Sequence, residues 1–143
     1  IGSYEQKAIA YLKFNKGGGI FAIYRTKELQ RSIVYVEHAA WDLQLMLNIL
    51  KFGDLNVINE NLHYRSSKGI SSKSNIAYEY SIGLSIPKII FPYLTTTIFC
   101  LREFGIMFFF KNFSLFLRLN GNGAILRTKD FFKLCKYNIW NKK

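Results

Sequence analysis

A chain of 143 residues, half of them hydrophobic and including 13 Phe, is long enough to bury one real core, which excludes a disordered tail. Twenty Lys and Arg against nine Asp and Glu leave a formal charge of +11. A domain that basic is expected to meet a polyanion, either nucleic acid or an anionic membrane surface, with an acidic protein as the plainer partner. Cys100 and Cys135 lack a CxxC partner, and with only His38 and His63 elsewhere no metal-ligand spacing is recognisable, so both read as buried, unpaired thiols in a reducing compartment.

Along the chain, Tyr4, Ala8, Tyr11 and Leu12 recur at the spacing of an amphipathic helix over Tyr4 to Lys13, with Ser3 placed to cap it. It is expected to end near Asn15, where Gly17, Gly18 and Gly19 break helical continuation. Lys16 to Ala40 then reads as a turn–strand–helix unit. The strand is the apolar run Ile20 to Tyr24, and the helix is capped by Thr26, with Leu29, Ile33, Val36 and Ala40 on one face. Phosphate-cradling glycines follow a strand and open a helix; these precede the strand, so a plain turn is preferred to a phosphate-binding loop. Helix, strand and helix in this order suggest layers on a parallel sheet, with Ile20 to Tyr24 central.

Trp41 to Leu50 is almost continuously apolar and either prolongs that helix or forms a packed connection. Gly53 and Asp54 make a turn before a short strand over Leu55 to Ile58. Asn59 to Ser74 reads as a loop carrying Arg65, Lys68 and Lys73 with no acid after Glu60, favouring contact with an anion over a merely solvated surface. Asn75 to Ile82 is a short helix with Gly83 suited to its C-terminal cap. Ile86 to Phe91 is the next strand, and Pro87 argues against a regular central place for it.

Tyr93 to Leu119 divides into a helix and then a strand, the strand being set by the alternation of Phe113, Leu115, Leu117 and Leu119. Leu84 to Leu101 approaches the length of a membrane span, but Pro87, Lys88 and Pro92 interrupt it and Arg102 and Glu103 follow, so spanning is the weaker reading. After a Gly121–Asn122 turn a last helix runs through Ile125, Phe132 and Cys135. From Arg127 onward it carries six Lys and Arg against the single Asp130, a cationic patch with Tyr137 and Trp140 available to pack on bases or protein. The plain alternative is a solvated helix with a frayed basic end. Asp54, Glu79 and Asp130 are scattered acids suited to caps and surface charges, and no catalytic constellation is expected.

Four stretches fall in a recognisable order: Gly17, Gly18, Ile20, Phe21, Ile23, Thr26 and Lys27; Gly53–Asp54–Leu55 with Val57–Ile58–Asn59; Ala77, Ser81, Leu84, Ile86 and Pro87; and Asn120, Gly121, Asn122, Ala124 and Ile125. Together they resemble the small-subunit ribosomal protein two family (universal small-subunit protein two) in a reduced organellar form. The family's N-terminal glycine–histidine portion has no counterpart, and Trp41 to Gly53 leaves no room for its coiled-coil insertion. The resemblance implies a single α/β domain over residues 1–143, a flavodoxin-like three-layer sandwich with a mainly parallel sheet, in which 93–119 is an atypical apolar insertion.

The implied role is structural. The chain is expected to be a non-catalytic constituent of the small subunit of an organellar ribosome in the mitochondrial matrix, a setting that its AT-rich coding flavour (Phe, Ile, Tyr, Asn, Lys) also suggests. Its partners would be small-subunit ribosomal RNA and neighbouring ribosomal proteins, with no cofactor and no small-molecule substrate. Phosphate contacts are expected from Arg65, Lys68, Lys73, Arg127, Lys129, Lys133 and Lys136. The alternative is a small membrane-embedded subunit of an organellar complex, motivated by Leu84 to Leu101.

Overall fold

The structure is a computed structural model and describes residues 2–14, 22–33, 40–56, 75–81 and 83–140, apart from the side chains at 77, 78, 81 and 136–140. These residues form α1 (Tyr4–Phe14), α2 (Thr26–Ser32), α3 (Trp41–Ile49), α4 (Asn75–Ser81), α5 (Ile86–Ile90), α6 (Leu94–Lys111) and α7 (Phe113–Trp140), with no strand among them. The expected α/β flavodoxin-like sandwich with its mainly parallel sheet is therefore overturned: the described chain is all-helical.

Each lost strand has a local reason. Residues 22–24 of the Ile20 to Tyr24 run are irregular, and Ile23 is 91 % exposed rather than central; Ile20 and Phe21 lie outside the described residues. Ile86 to Phe91 forms α5, with Pro87 in the first turn, where a missing N–H costs no intrahelical bond. The alternation from Phe113 to Leu119 also satisfies a helix, because residues four apart share a face. Leu115 is buried beside Phe116, while Phe113 and Leu117 point outward. Of the expected strand Leu55 to Ile58, residues 55–56 are irregular and the rest lies outside the described residues.

The helices read from the sequence are present, with sharper edges. Ser3 Oγ accepts from the Gln6 N–H (3.3 Å) and Gln6 Oε1 accepts from the Ser3 N–H (2.9 Å), a reciprocal capping box that starts α1. Arg25, not Thr26, occupies the N-cap of α2, and it provides no side-chain cap. Ser32 ends α2 with its hydroxyl on Glu28 O (2.7 Å), and Ile33 turns extended (ψ 134°), so the helix stops before Ile33; Val36 lies outside the described residues. Trp41 opens a separate helix after left-handed Ala40 (φ 60°), and Asn48 Nδ2 ties the two helices by donating to Ser32 O at 3.2 Å.

Gly83 does close α4: at φ 81° its N–H reaches Tyr80 O (3.0 Å) and the Leu84 N–H reaches Glu79 O (3.1 Å), the paired bonds of a Schellman end. In α6 the helical path breaks at Gly105 (φ 82°, ψ 172°), which re-aims the Phe-rich stretch after it. The expected Gly121–Asn122 turn is absent, since α7 runs unbroken for 28 residues. The nearby glycine that matters is Gly123, where an added Cβ would lie 2.7 Å from Tyr93 Cδ2 and 3.0 Å from Pro92 Cγ. It lets α7 approach the Pro92–Tyr93 turn.

The main core joins α1, α3, α6 and α7 through Ala8, Leu12, Leu47, Leu50, Cys100, Phe108, Leu115 and Phe116. Phe109 stacks on Phe116 with ring centroids 5.3 Å apart, and Tyr4 meets Phe104 at 4.6 Å, so the aromatic run serves the helix contacts. A second cluster of Leu45, Met46 and Ile49 receives Tyr11, Tyr24 and Leu29. Cys100 is buried and free as expected, whereas Cys135 is free and only partly buried. Leu84 to Leu101 is divided between α5, the Pro92 turn and α6, and among the described residues no helix is long and apolar enough to cross a membrane.

Candidate nucleic-acid interface

Exposed Lys13, Arg102 and Lys111 have no carboxylate partner among the described residues, but other cations around the main core are engaged: Lys7 Nζ lies 3.1 Å from Asp54 Oδ1 and donates to Gly53 O at 3.0 Å, and Lys51 Nζ lies 2.7 Å from Glu103 Oε1. Those on the outer side of α7 are not. Arg118, Lys129 and Lys133 are exposed and have no carboxylate partner among the described residues. Lys129 and Lys133 are one turn apart, and Arg118 lies eleven residues before Lys129, about three turns, so all three follow one edge of the helix.

α7 can carry that edge because its opposite side is fastened. Asn120 Nδ2 donates to Thr97 Oγ1 at 2.8 Å and to Phe116 O at 2.9 Å, joining α7 to α6. Further along, Asp130 Oδ2 accepts the Ile76 N–H at 2.9 Å, putting a carboxylate on the positive end of α4. Arg127 Nη2 donates to Glu79 Oε1 in the same contact. Burial pushes the Glu79 carboxyl above its ordinary range, Arg127 pulls it back, and nearby Asp130 adds to the rise. Burial likewise raises the Tyr93 phenol under this corner.

The seven residues assigned to phosphate contacts therefore part company. Lys129 and Lys133 are brought together on an open helix face, as an RNA-facing role needs. Arg127 is turned inward and its guanidinium is held by Glu79, so it builds the helix contact instead. Arg65, Lys68, Lys73 and the side chain of Lys136 lie outside the described residues, as do the side chains of Tyr137 and Trp140. Arg118 is hidden in the sequence because the alternation of Phe113 to Leu119 reads as a strand; its eleven-residue offset from Lys129 is the signal that places it on the edge. Of the scattered acids, Asp54 pairs with Lys7 and Asp130 caps α4 as expected, but Glu79 is buried rather than a surface charge.

Beside the cationic edge runs an apolar one. Phe113, Leu117, Ile125, Phe131 and Phe132 are all half or more exposed. At helical spacing they occupy an arc of about 120° adjoining Arg118, Lys129 and Lys133. Compared with protein-family models, curated proteins and solved structures, the chain matches none.

Proposed function

We propose that this protein is a non-catalytic, RNA-binding constituent of a ribonucleoprotein assembly, with the small subunit of a mitochondrial ribosome as the assembly that its sequence resemblance suggests. One observation carries the reading: Arg118, Lys129 and Lys133 stand without acidic partners along one edge of a continuous helix, in a chain of formal charge +11. The edge spans about 22 Å from Arg118 to Lys133, enough to meet several phosphates. Lys and Arg so placed hold a nucleic-acid backbone and displace its counterions without reading sequence. The reading rests on this surface; the resemblance contributes only the choice of assembly, because the sheet it implies is absent from the described residues.

The test is equilibrium binding of the full chain to a structured ribosomal RNA fragment over a range of salt. Affinity is expected to fall steeply with salt, and K129Q/K133Q should lower the slope of log K against log salt by about two. R127Q should not lower the slope by a further unit, because that charge already belongs to Glu79. Absence of RNA binding at low salt, or a slope unchanged by K129Q/K133Q, would overturn the reading. Co-sedimentation with mitochondrial small subunits at low salt then tests the choice of assembly.

A further inference from the structure

The apolar arc of α7 is left over by the RNA reading, since phosphates cannot desolvate Leu117 or Phe132. It continues across the α6–α7 junction. Phe109 meets both Phe110 and Phe113, with centroids 5.8 and 5.7 Å apart, linking α7 to the end of α6, where Phe110 is 65 % exposed and Met107, about one turn earlier, 66 % exposed. The result is an exposed ridge of Met, Phe, Leu and Ile, interrupted on α7 by Ser114 and Thr128, bordered along one side by Arg118, Lys129 and Lys133 and at the junction by exposed Lys111. A helix with large apolar side chains on one arc and cations along its border is suited to lie in the plane of a bilayer interface.

We infer that the α6–α7 ridge is a docking surface for an anionic membrane, the apolar arc entering the headgroup–acyl boundary while the bordering cations meet lipid phosphates. Charge and apolar surface together select this occupant: the cations beside the ridge lack carboxylate partners among the described residues, and a nucleic-acid backbone would leave the adjoining apolar side chains in water. Each cation near an anionic leaflet adds attraction, and the apolar side chains supply the part that salt does not screen. Docking of this kind leaves every helix outside the hydrocarbon core, in keeping with the absence of a spanning helix among the described residues. It does not depend on RNA binding, although the two uses share Lys129 and Lys133.

Flotation of the full chain tests it, with vesicles of phosphatidylcholine alone and of phosphatidylcholine mixed with phosphatidylglycerol. Binding is expected only to the mixed vesicles, at least about tenfold above neutral ones. L117S and F132S, at positions 63 % and 62 % exposed, should each weaken it about tenfold while leaving RNA affinity and the helical circular dichroism unchanged. K129Q/K133Q should weaken both vesicle and RNA binding. No flotation with anionic vesicles would overturn the inference, as would flotation indifferent to L117S and F132S. Loss of RNA affinity in L117S would assign the ridge to RNA, and retained flotation with loss of a protein neighbour would assign it to a protein groove; either also overturns it.

Discussion

Arg127 and Glu79 meet across the α4–α7 contact with side chains only 13 % and 12 % exposed, while Glu79 Oε2 and Arg127 Nε find no protein partner among the described residues. The pair is buried and joined on one side only. R127M would leave the carboxylate without its counter-charge, and unfolding titrations should show a loss of about 3 kcal/mol. E79Q keeps an acceptor for the guanidinium but leaves its charge unpaired, so it should cost less than R127M, about 1–2 kcal/mol. The raised carboxyl pKa fixes the sign of the pH dependence. The stability it contributes is whole below the ordinary value of 4.5 and is lost as pH climbs through the shifted one. E79Q does not titrate, so its stability relative to wild type should improve from acid toward neutral pH.

Gly121 and Gly123 sit on the same helix and should respond oppositely to alanine. Nothing lies within 4 Å of a Cβ built at Gly121, so G121A should stabilise the chain by up to about 1 kcal/mol through helix propensity. At Gly123 the new methyl would meet Tyr93 and Pro92 at 2.7 and 3.0 Å. Displacing α7 from that turn should outweigh the propensity gain and leave G123A less stable by about 1–2 kcal/mol. Thermal melts of the two variants side by side give the comparison, and equal shifts would contradict the close approach.

Gly105 has open space around it but a backbone that other residues avoid. At φ 82° and ψ 172° the cost of an added side chain is conformational and not steric contact, so G105A should destabilise by about 1–3 kcal/mol. The same substitution favours straightening α6. Quenching and emission changes at an engineered Met107→Trp, in the presence and absence of G105A, would report whether the segment after the break has been re-aimed.

Alkaline pH should loosen the core before it affects the surface. Burial first, and the charge of Glu103 second, push the Cys100 thiol from 9.0 up to about 12. Folding thus holds its proton; that stability is complete below pH 9 and is lost between 9.0 and about 12. Tyr4 and Tyr11, also raised chiefly by burial, act in the same direction above 10.0. The melting temperature should fall steadily above pH 9, and C100A, though less stable at neutral pH for its lost packing, should fall less over the first part of that range.

Short-range features were legible because their partners are a turn away. The Ser3 cap of α1 and the Gly83 end of α4 are fixed by side chains and backbone groups within five residues of each other. Lys129 and Lys133 were legible because a lysine on a solvated helix face stays in water, and Asp130 between them is turned to the Ile76 N–H. The sequence by itself thus determined a basic chain with a buried Cys100, several helix boundaries and two of the cations of the candidate edge.

What it left open were apolar runs too short for their period to decide between helix and strand. Phe113 to Leu119 satisfies both patterns, and it became helix where Leu115 and Phe116 could enter the core formed with α1, α3 and α6. The role of Arg127 depended on a carboxylate 48 residues away, and that of Gly123 on a ring 30 residues earlier. Only the tertiary structure decided these, because burial and pairing are set by which distant surfaces meet, and no local propensity carries that information.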